Sequence, residues 1–344
     1  MKLFVTGANG FLGRYVVAEA VKRGYKVRAL VRPAAKNIPE IWKEHSQIEI
    51  VRGDLRAKKS LNGLINKTDC IIHLAASKTG DLYEQFGGTV LATENLLQAM
   101  SHCDINKLVL TSSFSVYEYM KKRGWSVLNE STPTAHNPFT RDEYCQTKII
   151  QEKLALEYAH SHNWKCIVLR PGVIFGKDNL WTARIGMQAG ERLWICTGMF
   201  APLPLTYVEN CASAILEAVG YDGPEQTMVL NVVDTKTPIQ RSYVKELKLY
   251  QNPKPKILII PWIIMRMIAR TAWLVNRLFF KDTAKIPGLF VPSRLHARCK
   301  PLRYSNKKII SVLGWKPEFS WKEAVRRSIE MDNSANLSGT RGGK

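Results

Sequence analysis

The chain has 344 residues, of which 45% are hydrophobic and 23% charged; this suits one large folded unit with a smaller part and excludes a disordered or fibrous chain. Its formal charge is +21, and from Lys254 onward 19 Lys and Arg stand against 5 Asp and Glu, so the C-terminal part is suited to an anionic partner or to a solvated face. The seven cysteines (70, 103, 145, 166, 196, 211, 299) include no C-x-x-C pair and have no histidine at ligand spacing, which speaks for reduced thiols in a cytoplasmic protein and against a metal site.

The first predicted element is an apolar strand at Leu3 to Val5, close enough to Met1 that no signal peptide is expected. It runs into Thr6-Gly7-Ala8-Asn9-Gly10-Phe11-Leu12-Gly13 and then an amphipathic helix through Arg23. Strand, glycine turn and helix in that order suit a nucleotide diphosphate, because bare backbone allows close approach and the first helical N–H groups face the charge. The spacing is G-x-x-G-x-x-G, which taken alone would mark a plain turn. A second strand at Lys26 to Val31, at βαβ distance, supports the nucleotide reading.

Further strands are expected at Ile48 to Val51, Cys70 to Leu74, Lys107 to Thr111 and Cys166 to Leu169, with helices at Thr89 to Ser101 and Tyr144 to Ser161 between them. The alternation predicts an α/β fold with a doubly wound parallel sheet. After Phe175 prolines interrupt the pattern, so residues 1–175 read as the nucleotide-binding domain and 176–333 as a smaller substrate-binding part. A strand near 229–233 is a candidate to rejoin the main sheet, and 334–344 reads as a tail with nothing to bury.

Tyr144 and Lys148 stand four residues apart, on one helix face, where a cation would favour the phenolate. Tyr117/Lys121, Tyr250/Lys254 and Tyr304/Lys308 share this spacing, so position must single out Tyr144. Its helix lies between strands ending at Thr111-Ser112-Ser113 and Leu169-Arg170-Pro171, both at the carboxyl edge of the expected sheet, where open α/β folds bind ligands.

On these stretches, together with Gly53-Asp54-Leu55, His73 to Ala76, Val116-Tyr117, Glu152, Gly172, Gly176, Tyr207 to Ala212 and Leu313 to Pro317, the chain resembles an extended short-chain dehydrogenase/reductase. That superfamily includes sugar-nucleotide epimerases and dehydratases, 3β-hydroxysteroid dehydrogenases and dihydroflavonol reductases. The resemblance implies Tyr144 as the acid/base, Lys148 on the nicotinamide ribose and lowering the phenol pKa, and Ser113 on the reacting oxygen. Ser112 reads instead as a strand-end hydroxyl. It also implies a cofactor site of Gly7, Asn9, Gly10, Phe11, Leu12 and Gly13, with Asp54 and Leu55 at adenine. Leu74, Ala75, Ala76, Tyr144, Lys148, Pro171 and Val173 would line the rest. The helices Thr89 to Ser101 and Tyr144 to Ser161 are where it suggests a homodimer contact.

An acidic residue at the end of the second strand would grip the ribose 2′-hydroxyl of NAD, whereas a phosphate there needs a cation. Val31 and Arg32 occupy that place, so NADP is expected over NAD, with Arg32 as the phosphate partner; the plainer reading of Arg32 is a solvated surface arginine. Two departures bear on the substrate. Thr89 replaces the usual Asn of an N-V-x-G-T phrase. Leu203 fills the slot where many sugar-nucleotide members carry a diphosphate-gripping arginine, although Arg184, Arg192, Arg294 or Arg298 could substitute.

Residues 257–281 read as a single amphipathic helix whose Arg266, Arg270, Arg277 and Lys281 fall within about 60° of one another. Two readings stand: a helix in the plane of an anionic membrane, making the protein peripheral, or a substrate-domain helix with its apolar face on the core. The leading function is an NADP-dependent oxidoreductase interconverting a secondary alcohol and a ketone on an apolar or lipid-linked small molecule. The alternatives are a sugar-nucleotide epimerase or dehydratase and, more remotely, a non-catalytic NADP-binding redox sensor. The basic residues lack the interleaved aromatics of nucleic-acid platforms, so no nucleic-acid partner is expected.

Overall fold

Runs of β-branched and aliphatic residues become seven parallel strands in the computed structural model, which describes residues 1–61, 63–182, 184–281 and 290–339. They are β1 (Lys2–Thr6), β2 (Lys26–Val31), β3 (Ile48–Arg52), β4 (Cys70–His73), β5 (Lys107–Thr111), β6 (Lys165–Pro171) and β7 (Thr227–Val232). Their order is β7-β6-β5-β4-β1-β2-β3. Strands covered on both faces need apolar residues at odd and even positions alike. Leu3 and Val5 accordingly pack on one face with Val16, Val17 and Ala20 of α1 (Phe11–Lys22), whereas Phe4 packs on the other with Leu96 and Leu97 of α2 (Ala92–Ser101). α3 (Glu143–Ser161) shares the face of α2, and α4 (Val208–Gly220) that of α1.

The sheet is doubly wound about β1 and β4, which opens a crevice at their carboxyl ends. β7 and α4 return to this sheet from beyond Phe175. The remaining chain builds small sheets beside it. Leu193–Thr197 lies between Gly186–Ala189 and Lys256–Ile260, Val173–Phe175 pairs with Leu205–Tyr207, and Val127–Leu128 pairs with Arg303–Tyr304. All seven cysteines are free thiols.

One expected element changes character. The segment 257–281 is not one helix: Lys256–Ile260 is a strand paired in parallel with Leu193–Thr197, and the helix α5 begins at Trp262 and ends at Phe279. Pro261 divides them, since a proline lacks the N–H to continue a ladder but fits the start of a helix, and the β-branched residues before it favour a strand. After α5 come α6 (Pro292–Cys299) and the closing helix α7 (Trp321–Gly339). The last of these takes in residues 334–339 of the expected tail, and 340–344 lie outside the described residues.

Candidate active site

The turn after β1 is closed by backbone contact, and this is why glycine stands where it does. Gly7 has φ +66°, and a Cβ there would come within 2.9 Å of the Ala75 nitrogen; on Gly13 it would meet the Gly7 carbonyl at 2.1 Å. Gly10 is the N-cap of α1, so bare N–H groups open toward the crevice. Phe11 and Leu12 are half-buried and pack on the core of the smaller part, Leu12 on the core beneath the sheet as well. Beyond the loop, Asn9, Arg32, Lys36, Asp54 and Arg56 surround a pocket of about 660 Å³. Asp54 is held there by Arg56 through bonds of 3.0 and 2.6 Å, which keep its carboxyl below the usual carboxylate range. Leu55, expected at adenine, has its side chain in the core and its carbonyl accepting from Asn95 Nδ2 at 2.8 Å.

Leu74, Ala75 and Ala76 lie half-buried where the chain leaves β4, with the Ala75 N–H donating to Thr6 Oγ1 at 3.3 Å. Beneath them His73 bridges Thr6 Oγ1 (2.7 Å) and Thr93 Oγ1 (2.8 Å), and burial drives its pKa down to about 3, leaving a neutral ring. Thr89, the residue in place of Asn, uses its hydroxyl to accept from the Ser77 N–H at 2.9 Å.

The residues expected to carry chemistry converge at the ends of β5 and β6. Arg141 is buried and donates to the carbonyls of Tyr117 and Ser115, each at 2.9 Å, which ties the start of α3 to the loop after β5. Asp142 then caps α3 by accepting from the Cys145 N–H. This places Tyr144 beside Ser113. The Ser115 N–H donates to Ser113 Oγ at 3.1 Å, and the Ser113 hydroxyl favours the ionised form of the phenol of half-buried Tyr144. Desolvation nevertheless pushes that phenol up to about 12.

Lys148 departs from the role expected of it. Its ammonium donates to the Thr111 carbonyl at 2.8 Å and to Gln151 Oε1 at 2.7 Å, and the phenol is not depressed by it. Burial, reinforced by the charge of Lys78, lowers the lysine to about 7. Lys78 itself is exposed by surface area, yet its ammonium sits among enough protein that desolvation lowers its pKa too.

Ser112 bonds the buried carboxylate of Glu152 at 2.7 Å, as a strand-end hydroxyl would, and Arg170 pairs with the same carboxylate. Pro171 is buried at the end of β6. Val173 lines a second pocket, of about 210 Å³, together with Tyr144, Thr182, Arg184 and Arg298. Three polar atoms of residues lining it, Ser115 Oγ, Thr182 Oγ1 and Arg141 Nε, are buried without a hydrogen-bond partner among the described residues. Of the four candidate arginines, Arg184 and Arg298 reach this pocket, Arg294 is paired with Glu143, and Arg192 is exposed at a strand end. Leu203 is buried in the apolar core of the smaller part. Lys36, Arg56, Lys78 and Arg141 were not singled out from the sequence; only the nearness of the first two to Arg32 and Asp54 along the chain hinted at them.

Comparison with known proteins gives the family and the fold. The family model described as "NAD dependent epimerase/dehydratase family" matches residues 3–232. Cinnamoyl-CoA reductase 1 of Petunia hybrida is 27% identical over 231 residues, 64% of this chain and 69% of that one. The decarboxylating sterol-4-alpha-carboxylate 3-dehydrogenase of Mus musculus is 24% identical over 345 residues, 96% of this chain and 90% of that one. Among solved structures, UDP-glucuronic acid 4-epimerase from Bacillus cereus in complex with NAD superposes with a TM-score of 0.71 at 17% identity, covering 96% of this chain and 99% of that one.

Proposed function

This chain belongs to the NAD dependent epimerase/dehydratase family, whose members of the extended short-chain type are NAD(P)-dependent oxidoreductases, and on that premise we propose that it interconverts a secondary alcohol and a ketone using NADP. The substrate is an apolar or lipid-linked molecule that carries an anionic group. The observation that carries this reading is the opening of the Tyr144 phenol, with Ser113 close by, onto a pocket that also holds Arg184 and Arg298.

The glycine cradle and the cationic pocket fit a dinucleotide with a ribose phosphate: Gly7, Gly10 and Gly13 admit the diphosphate, and Arg32, Lys36 and Arg56 offer guanidinium and ammonium donors. The cofactor, when bound, supplies or accepts the hydride. Everything else falls to the chain's own groups. Tyr144, protonated at neutral pH, gives its proton to the reacting oxygen in reduction, and Ser113, oriented by the Ser115 N–H, steadies that oxygen while charge develops. The unpaired polar atoms beside it set a demand of about 1–3 kcal/mol each that a polar substrate group can meet.

NADPH should bind more tightly than NADH, and Arg32→Ala should weaken NADPH by roughly tenfold or more, the value of a charged hydrogen bond, while leaving NADH unchanged. Dissociation constants from fluorescence titration check this. A preference for NADH that survives the substitution would refute the NADP assignment.

The presence of Arg184 and Arg298 beside Tyr144 also favours a second reading, a sugar-nucleotide epimerase or dehydratase, in which these arginines grip a diphosphate in place of the absent one at Leu203. Cofactor retained through purification, with no net consumption of added NADPH, would mark that case.

A further inference from the structure

The helix α5 meets the rest of the protein along one narrow stripe. Met265, Ala269 and Asn276 are its buried residues, and the first two pack with Leu295 and Cys299 of α6. On the far side, Ile264, Met267, Ile268, Leu274, Val275 and Leu278 are between 41% and 65% exposed. At 100° per residue these six occupy an arc of about 120°. Arg266, Arg270 and Arg277 line one flank between the arc and the buried stripe, with Arg277 over the ring of Trp273 at 5.4 Å. The strand leading into the helix leaves Leu258 and Ile259 exposed as well. The apolar face is therefore not seated on the core.

We propose that α5 docks on an anionic lipid surface, lying in the interface plane with its apolar arc at the acyl boundary and its arginines among the headgroups. Charge complementarity chooses this occupant. Residues 254–281 hold six Lys and Arg and no Asp or Glu. A second copy laid on the same face would bring cation against cation, which opposes self-association. Among the described residues no helix is long and apolar enough to cross a membrane, and arginines at a bilayer centre are costly, so the helix lies on the surface rather than through it. Ala297 and Arg298 of α6 line the pocket at Tyr144, so docking sets that pocket one helix away from the lipid.

Sedimentation with vesicles of phosphatidylglycerol and phosphatidylcholine, against vesicles of phosphatidylcholine alone, tests the proposal on the full chain. Binding is expected to the anionic vesicles at low salt and to weaken as salt rises. The triple variant Arg266→Gln, Arg270→Gln, Arg277→Gln should bind roughly a hundredfold more weakly, at about fivefold per arginine. Ile264→Glu with Leu278→Glu, both at exposed positions, should lose binding while still taking up NADPH. Absence of binding to anionic vesicles, undiminished binding by the Glu variant, or a concentration-dependent dimer that the Glu variant abolishes in place of vesicle binding would each overturn docking. NADPH titration of the same samples reads the catalytic proposal separately: absence of vesicle binding by the unsubstituted protein, with its NADPH binding intact, removes only the lipid surface.

Discussion

Tyr144→Phe is expected to lower ketone reduction by about 10²- to 10⁴-fold, the range of a positioned acid, while leaving the NADPH dissociation constant nearly unchanged. The substitution removes one oxygen from a ring whose place is fixed by the Asp142 cap of α3 and the Arg141 anchor beneath it, so the fold has no reason to shift. Because its proton donor is gone but the Ser113 hydroxyl and the pocket remain, kcat should fall far more than KM rises. Single-turnover reduction followed at the nicotinamide absorbance measures it. Full turnover by the Phe variant would remove Tyr144 from the chemistry.

The same geometry sets the pH dependence. A phenol held near 12 is protonated throughout the neutral range, so the acid form needed for reduction is abundant and the rate of that direction should be flat there. Alcohol oxidation needs the phenolate, which grows as pH rises toward the phenol pKa, so oxidation should climb with pH. Lys148, lowered to about 7 by burial, is the group able to change this balance. A cation that exchanges its bonds to Thr111 and Gln151 for an approach to the phenol would draw the phenol pKa down.

The parts of the molecule legible in the sequence are those set by local periodicity and backbone need. Strands such as Lys26–Val31 and Lys107–Thr111 announce themselves by apolar runs, and Gly7 and Gly13 are where only a missing Cβ permits the turn to close. The sequence singles out Tyr144 by its place between two strand ends, and those two strands, β5 and β6, are neighbours in the sheet. What local pattern could not give is how charges are shared among loops. The sequence shows Arg32 but not that Lys36 and Arg56 ring the same pocket, and it shows Lys148 four residues from Tyr144 but not that Gln151, three residues further on, takes its ammonium. The break at Pro261 was visible as a proline, yet the apolar period on either side masked the change from strand to helix.

Arg170→Met should destabilise the protein by about 3–5 kcal/mol, the cost of leaving a buried charge without its partner. Glu152 and Arg170 are each 5% exposed, and the pair sits where β5, β6 and α3 meet. Arg170 also lies over the ring of Tyr117 at 4.7 Å, and the Tyr117 hydroxyl donates to Asn231 Oδ1 on β7 at 2.6 Å, so one network joins three strand ends below Ser113 and Tyr144. Methionine fills the space of the arginine stem but offers nothing to the carboxylate, which among the described residues keeps only the Ser112 hydroxyl. Adding Glu152→Leu removes the stranded charge, and the double variant should recover much of the loss, because an apolar pair of similar volume often matches a buried ion pair. Thermal unfolding of the four proteins of this cycle measures both steps, with the single Arg170 variant lower in Tm by at least about 5 °C. A single variant as stable as the parent would mean that water reaches the carboxylate and that the pair does not hold the strand ends together.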